Sequence, residues 1–291
     1  MEHIARFFFG VSGNVIALFL FLSPVVTFWR IIKKRSTEDF SGVPYNMTLL
    51  NCLLSAWYGL PFVSPNNILV TTINGTGSVI EAIYVVIFLI FAERKARLKM
   101  MGLLGLVTSI FTMVVLVSLL ALHGQGRKLF CGLAATIFSI CMYASPLSIM
   151  RLVIKTKSVE FMPFLLSLSV FLCGTSWFIY GLLGRDPFIA IPNGCGSFLG
   201  LMQLILYAIY RNHKGATPAA AAGKGDAADD VEMAEGRNNK VADGGAADDD
   251  SYGRRQGGHR SVALACVSNR LRFPACVLLL QVVILARPLL L

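Results

Sequence analysis

Two polar stretches stand inside apolar runs of this chain, "TTINGTG" at 71–77 and "AIPNGCG" at 190–196. Each carries Asn-Gly-x-Gly, led by Asn74 and Asn193. Asn and Gly ordinarily mark a turn, but both flanks are long enough to be membrane helices. An amide offers one carbonyl and two N–H donors without charge. In an oily setting every unpaired polar group costs kilocalories, so two such amides suit an uncharged polar ligand. The competing use is structural, a hydrogen bond that glues one helix to another. Seven residues after Asn74, on the same helical face and about 10 Å along it, lies Glu81, the one acid inside an apolar run. An acid there is a functional candidate by default. It would either relay protons or sit neutral or paired within a bundle. No His joins it, and the apolar runs hold no Ser/Lys dyad or carboxylate pair, so an intramembrane enzyme is disfavoured. The chain has no C-x-x-C and no His/Cys cluster, so no metal or other cofactor is expected.

The elements that position these residues follow from composition. Of 291 residues 55% are hydrophobic and 14% charged, too apolar for a soluble domain of this size. The formal charge of +10 does not point to nucleic acid, because the basic residues fall in short clusters between apolar runs. A bilayer core needs about 20 apolar residues per helix. Seven spans are predicted, near 7–29, 44–62, 68–92, 101–122, 129–151, 164–183 and 188–210. One set of alternating loops carries Arg30, Lys33, Lys34, Arg35, Arg94, Lys95, Arg97, Lys99, Arg151, Lys155, Lys157, Arg211 and Lys214. The other set has only Arg6, Arg127, Lys128 and Arg185. The first set is therefore cytosolic, with the N-terminus outside and the C-terminal tail inside. The start lacks the pattern of a signal peptide. Cys52, Cys131, Cys141, Cys173 and Cys195 fall in or beside spans and Cys266 and Cys276 in the tail, places that do not favour disulfides.

The chain repeats itself. At an offset of 122, Pro24 meets Pro146, Lys33 meets Lys155, Ser36 meets Ser158, Glu38 meets Glu160, and Tyr58-Gly59-Leu60 meets Tyr180-Gly181-Leu182. Short gaps bring Pro44 onto Pro163 and Asn74-Gly75-x-Gly77 onto Asn193-Gly194-x-Gly196. Ordered matches across three spans indicate duplication. A three-helix unit that starts outside ends inside, so a second parallel copy needs one extra crossing, and 101–122 supplies it. The expectation is an all-α membrane protein of seven transmembrane helices, two parallel three-helix repeats joined by a linker helix (3+1+3). Its parts are a first repeat at 1–98, a linker at 99–124, a second repeat at 125–212 and a cytosolic tail at 213–291.

Over residues 5–212 the chain closely resembles the plant SWEET sugar transporters. The resemblance is carried by "SPVVTFWRIIKKRSTEDFSGVPY", "LLSAWYGLPFVS", "TTINGTGSVIEAIYV", "YASPLSIMRLVIKTKSVEFMPF", "CGTSWFIYGLLGRDPF" and "AIPNGCG". It is nearest to the hexose-type subgroup. The resemblance implies bidirectional uniport of a mono- or disaccharide, glucose or another hexose favoured, by alternating access. It implies a pocket of Ser55, Asn74, Trp177 and Asn193, hinges at Pro24, Pro44, Pro146 and Pro163, and an extracellular gate of Tyr58 with Asp186. The partners are then the sugar and the lipid bilayer, with the plasma membrane as the expected location and homo-oligomerisation left open. The alternative is a proton-coupled transporter of another small solute on the same plan, with Glu81 as its one available acid. A seven-span receptor would have no need of the duplication. Trp57 is expected to pack rather than bind. The tail falls outside the resemblance. Its Ala/Gly/Asp-rich part at 215–260 is expected to be disordered, and the apolar end at 273–291 is short for a span.

Overall fold

Backbone in an apolar setting must satisfy its own N–H and C=O groups, and helices do this within one segment. The computed structural model describes residues 1–38, 40–159 and 162–212; Asp39, Glu160, Phe161 and the whole tail from 213, with Cys266 and Cys276, lie outside them. The described residues form nine helices: α1 (Glu2–Leu22), α2 (Val25–Lys34), α3 (Val43–Tyr58), α4 (Ile68–Phe91), α5 (Arg94–Leu120), α6 (Gly124–Met142), α7 (Ala144–Thr156), α8 (Phe164–Leu183) and α9 (Pro187–Tyr210).

Nine helices reduce to seven crossings because two are broken. α1 and α2 form one apolar segment, Glu2–Lys34, and α6 and α7 another, Gly124–Thr156. Both breaks fall beside a proline of the repeat. Pro24 caps α2. Pro146 lies one turn after the α6–α7 break at Tyr143. A proline has no N–H for the carbonyl four residues back, so the helix loosens there. Pro44 and Pro163 instead sit at the entries of α3 and α8, where the missing N–H costs nothing.

Six segments are long and apolar enough to cross a membrane by length and composition. The seventh, α3, has 16 residues, so the expected span of 44–62 ends early. Gly59 stops it and Pro61 could not continue the hydrogen-bond ladder. α5 also begins earlier than expected, at Arg94.

The duplication is visible in the backbone. Besides Glu38 and Gly124, the left-handed residues among those described fall in matched pairs, Arg35 (φ 51°) with Lys157 (φ 55°), each ending its helix, and Asn66 (φ 69°) with Arg185 (φ 50°) before α4 and α9. Packing follows the same symmetry. α3 lies against α4 as α8 does against α9, α1 against α4 as α6 against α9, and α2 against α4 as α7 against α9. The repeats are joined reciprocally, α1 on α8 and α6 on α3. α5 packs mainly on α3. α4 and α9, which carry the two Asn-Gly-x-Gly stretches, are not substantially packed against each other. Phe7, Phe8, Trp29, Val79, Val86, Met113 and Phe198 are all more than half exposed, an outward apolar surface fit for lipid tails.

Candidate functional site

Asn74 and Asn193 occupy equivalent places and behave alike. Each is half-buried. Asn74 Nδ2 donates to the Val70 carbonyl at 2.9 Å and Asn193 Nδ2 to the Ile189 carbonyl at 2.8 Å, four residues back on their own helices. No hydrogen bond joins the two amides to each other or to another helix among the described residues. The glycines that follow them admit side chains. A Cβ on Gly77 would come within 2.6 Å of the Phe21 ring, and one on Gly196 within 2.7 Å of the Tyr143 hydroxyl. Phe21 and Tyr143 are themselves equivalent at the 122 offset.

The second repeat departs from strict symmetry next to Asn193. Pro192 lies inside α9 where α4 has Ile73. The Phe188 carbonyl that a residue-192 N–H would have served instead accepts the Thr136 hydroxyl at 3.3 Å. The Tyr143 hydroxyl donates to the Pro192 carbonyl. Thr136 of α6 and Tyr143 at its break thus hold the turn of α9 that leads into Asn193.

Trp177 is 6% exposed. Its ring meets Tyr180 edge-on at 5.1 Å. A Cβ on Gly13 would come within 2.8 Å of its Nε1, so the indole wedges α8 against α1. Its repeat equivalent, Ser55, is half-buried on α3. Trp57 packs away from both. Its Nε1 donates to Ser118 of α5 at 3.0 Å, and its ring lies beside Phe62 and Phe111.

At the end of the bundle formed by residues 59–67 and 184–186, Tyr58 and Asp186 do meet. The Tyr58 hydroxyl lies 2.8 and 2.7 Å from the two carboxylate oxygens. Asp186 is 2% exposed, and a carboxylate so buried needs several partners. It has them. The Phe188 N–H donates at 3.1 Å, making Asp186 the N-cap of α9. Asn67 Nδ2 donates at 2.8 Å, and Lys128 Nζ lies at 3.6 Å. Glycine makes the geometry possible. A Cβ on Gly59 would meet the Thr71 nitrogen at 2.8 Å, and one on Gly181 the Ala190 nitrogen at 2.6 Å. Only glycine lets α3 and α8 approach the first turns of α4 and α9 this closely.

Glu81 is 4% exposed, and its Oε2 has no hydrogen-bond partner among the described residues. Tyr84, three residues on along α4, packs edge-on against Tyr45 of α3 with ring centroids 5.7 Å apart. At the opposite end, the ionic pairs among the described residues belong to Glu38, with Arg30 at 2.7 Å and Lys34 at 2.5 Å.

Asn67, Arg6, Lys128 and Tyr180 escaped the reading of motifs. The signal was present. The offsets already noted map Arg6 onto Lys128, Tyr58 onto Tyr180 and Asn67 onto Asp186.

Two parallel three-helix units hung on one linker are the plan of membrane carriers in which one unit rocks against the other, a plan for which the SWEET proteins are themselves a standing example. The family model described as "Sugar efflux transporter for intercellular exchange" matches residues 7–96 and 129–215. The chain is 99% identical over 235 residues to the bidirectional sugar transporter SWEET1a of Oryza sativa subsp. japonica, covering 81% of this chain and 86% of that one. It is 69% identical over 219 residues to the bidirectional sugar transporter SWEET1 of Arabidopsis thaliana, covering 75% and 89%. A solved eukaryotic SWEET transporter shares its fold with a TM-score of 0.71 at 49% identity, covering 73% of this chain and 99% of that one. The chain belongs to the SWEET family of sugar transporters.

Proposed function

We propose that this protein is a bidirectional uniporter for a hexose such as glucose, working by alternating access at the plasma membrane with its N-terminus outside. The observation that carries the reading is the matched pair of uncharged amides. Asn74 and Asn193 stand at equivalent, half-buried places on α4 and α9, helices that do not close on each other. A sugar entering between them offers hydroxyls to each amide, replacing the water it sheds. Trp177 presents an aromatic face to the C–H side of the ring and Ser55 a small polar group on the other.

Residues 1–98 and 125–212 act as the two rocking units and 99–124 as their linker. Tyr58 and Asp186 close the extracellular side. Pro24, Pro44, Pro146 and Pro163 serve as hinges for closure on the cytosolic side, and the breaks at Pro24 and Pro146 support that use. In uniport Glu81 is a structural carboxyl and takes no part in coupling.

The test is uptake of radiolabelled glucose and sucrose into liposomes holding only this protein. Glucose should equilibrate in both directions, faster than sucrose, and neither should accumulate above its outside concentration. Equal rates for both sugars would remove the hexose assignment. Accumulation under an imposed proton gradient would favour the coupled alternative.

A further inference from the structure

The polar cluster around Asp186 is half of a larger arrangement. Asn67 stands at the N-cap position of α4 as Asp186 does at that of α9, though only Asp186 bonds its own helix with its side chain, and the two are repeat equivalents that bond to each other, Nδ2 to Oδ2, at 2.8 Å. The pseudo-twofold axis therefore passes through this contact. On one side of it stand Tyr58 of α3 and Lys128 of α6, both on Asp186. On the other side stand their equivalents, Tyr180 of α8 and Arg6 of α1, both on Asn67. Arg6 Nη2 donates to Asn67 Oδ1 at 2.8 Å, and the Tyr180 hydroxyl reaches the same oxygen at 3.4 Å and the Asn66 carbonyl at 3.2 Å. The guanidinium carbon of Arg6 lies 4.5 Å from the centre of the Tyr180 ring, a cation–π contact. Gly184 makes room for it, since a Cβ there would come within 2.7 Å of Arg6 Nε.

We infer that the closed side of this carrier is held by two equivalent latches, Lys128–Asp186–Tyr58 and Arg6–Asn67–Tyr180, and that Arg6 is a gating residue. The inference rests on the reading of Tyr58 and Asp186 as the extracellular gate. Each latch ties three helices, α3, α6 and α9 on one side and α8, α1 and α4 on the other. The Asn67–Asp186 bond locks one latch to the other. For the two units to rock apart on this side, α8 must leave α1 and α4 as α3 leaves α9, so the Tyr180 ring must leave Arg6 and its hydroxyl Asn67, as Tyr58 releases Asp186. The latches differ in charge. Two cations face a single carboxylate, and Arg6 Nε is buried without a hydrogen-bond partner among the described residues. The Arg6 latch thus has a donor to spare, and a carboxylate in place of Asn67 would find a cation waiting.

The test exchanges the charge across the axis. A reporter, Ser55→Cys, is labelled from outside with an impermeant thiol reagent, normalised to surface protein, and glucose uptake is measured on the same variants without the reporter. Asp186→Asn should raise labelling several-fold and reduce uptake. Adding Asn67→Asp should return both toward the parent, because Arg6 and Tyr180 then hold the carboxylate. Adding Arg6→Gln as well should abolish the rescue. Arg6→Gln alone should raise labelling several-fold at normal surface level, and this arm stands even if the exchanged protein fails to reach the surface. No rescue in an exchanged protein at full surface level, or unchanged labelling in Arg6→Gln, would overturn the second latch. If Asp186→Asn itself labels and transports as the parent, the underlying gate reading falls first.

Discussion

At the scale of single residues, the energetics of a passive carrier are unforgiving. Cargo must leave on both sides, so affinity is weak, and a millimolar site has only about 4 kcal/mol of binding free energy. Leaving one sugar hydroxyl unpaired costs about 1–3 kcal/mol. Asn74→Ala and Asn193→Ala should each nearly abolish glucose uptake at unchanged surface level. Equal loss from both follows from their equivalent hydrogen bonds to Val70 and Ile189. Trp177→Ala should also remove uptake, with a second consequence. Its indole separates α8 from α1 at Gly13, so thermal stability in detergent should fall too, as it should not for the Asn variants. At the gate proposed for Tyr58 and Asp186, Tyr58→Phe deletes a donor to a carboxylate that is 2% exposed. A hydrogen bond to a charged group is worth about 1.5–3 kcal/mol, so the closed state should lose population and a pocket cysteine should label faster from outside.

At the scale of elements, the breaks and the close crossings do different work. α1 and α2 meet at Pro24, and α6 and α7 meet three residues before Pro146. Pro24→Ala restores a backbone donor and lets the first crossing run on as one stiffer helix. Uptake should slow while the amount of folded protein is kept, and the measurement is initial rate per surface molecule. Gly181→Val acts on packing instead. Its Cβ would sit 2.6 Å from the Ala190 nitrogen, a backbone atom that cannot swing aside. α8 and α9 would be forced apart, and the protein should be lost from the surface rather than merely slowed. Gly59→Val should do the same through the Thr71 nitrogen, at 2.8 Å.

At the scale of the whole molecule, orientation and energy coupling are the open quantities. The basic residues cluster at the ends of α2, α4 and α7 remote from Asp186, and such clusters face the cytosol. A cysteine placed at Lys128 should react with an impermeant reagent from outside, and one at Lys157 should not. The opposite pattern would reverse the assignment of gate and hinge sides. Coupling turns on Glu81, which is 4% exposed and whose Oε2 has no hydrogen-bond partner among the described residues. The second repeat has Gly200 in its place, and a Cβ there would meet the Phe171 backbone at 2.8 Å, so no acid fits the equivalent site. Glu81→Gln should slow transport at most, and sugar should still follow only its own gradient. Proton-driven accumulation that vanishes in Glu81→Gln would point to coupled transport.

The residues alone determined the class of this protein. Apolar runs of membrane length, basic clusters on alternate loops and an ordered self-match leave little choice but two parallel three-helix units and a linker, because backbone in lipid must be helical. They also singled out Asn74 and Asn193, since polar groups in oily segments need a reason, whereas Tyr58 and Asp186 are implied only by the resemblance to the family. What only the tertiary structure decided was partnership across the units. α1 packs on α8 of the other repeat and α6 on α3, an exchange that a linear self-match cannot reveal because it aligns each helix with its copy and never with its neighbour. Trp57 is expected to pack, but only the structure shows against what: it donates to Ser118 of the linker helix, while Trp177 wedges α8 against α1. Arg6, Asn67, Lys128 and Tyr180 read singly as loop and helix-end residues. They become one polar cluster only when the axis folds both ends of the duplication onto a single point, and burial then obliges each charge to find its partner.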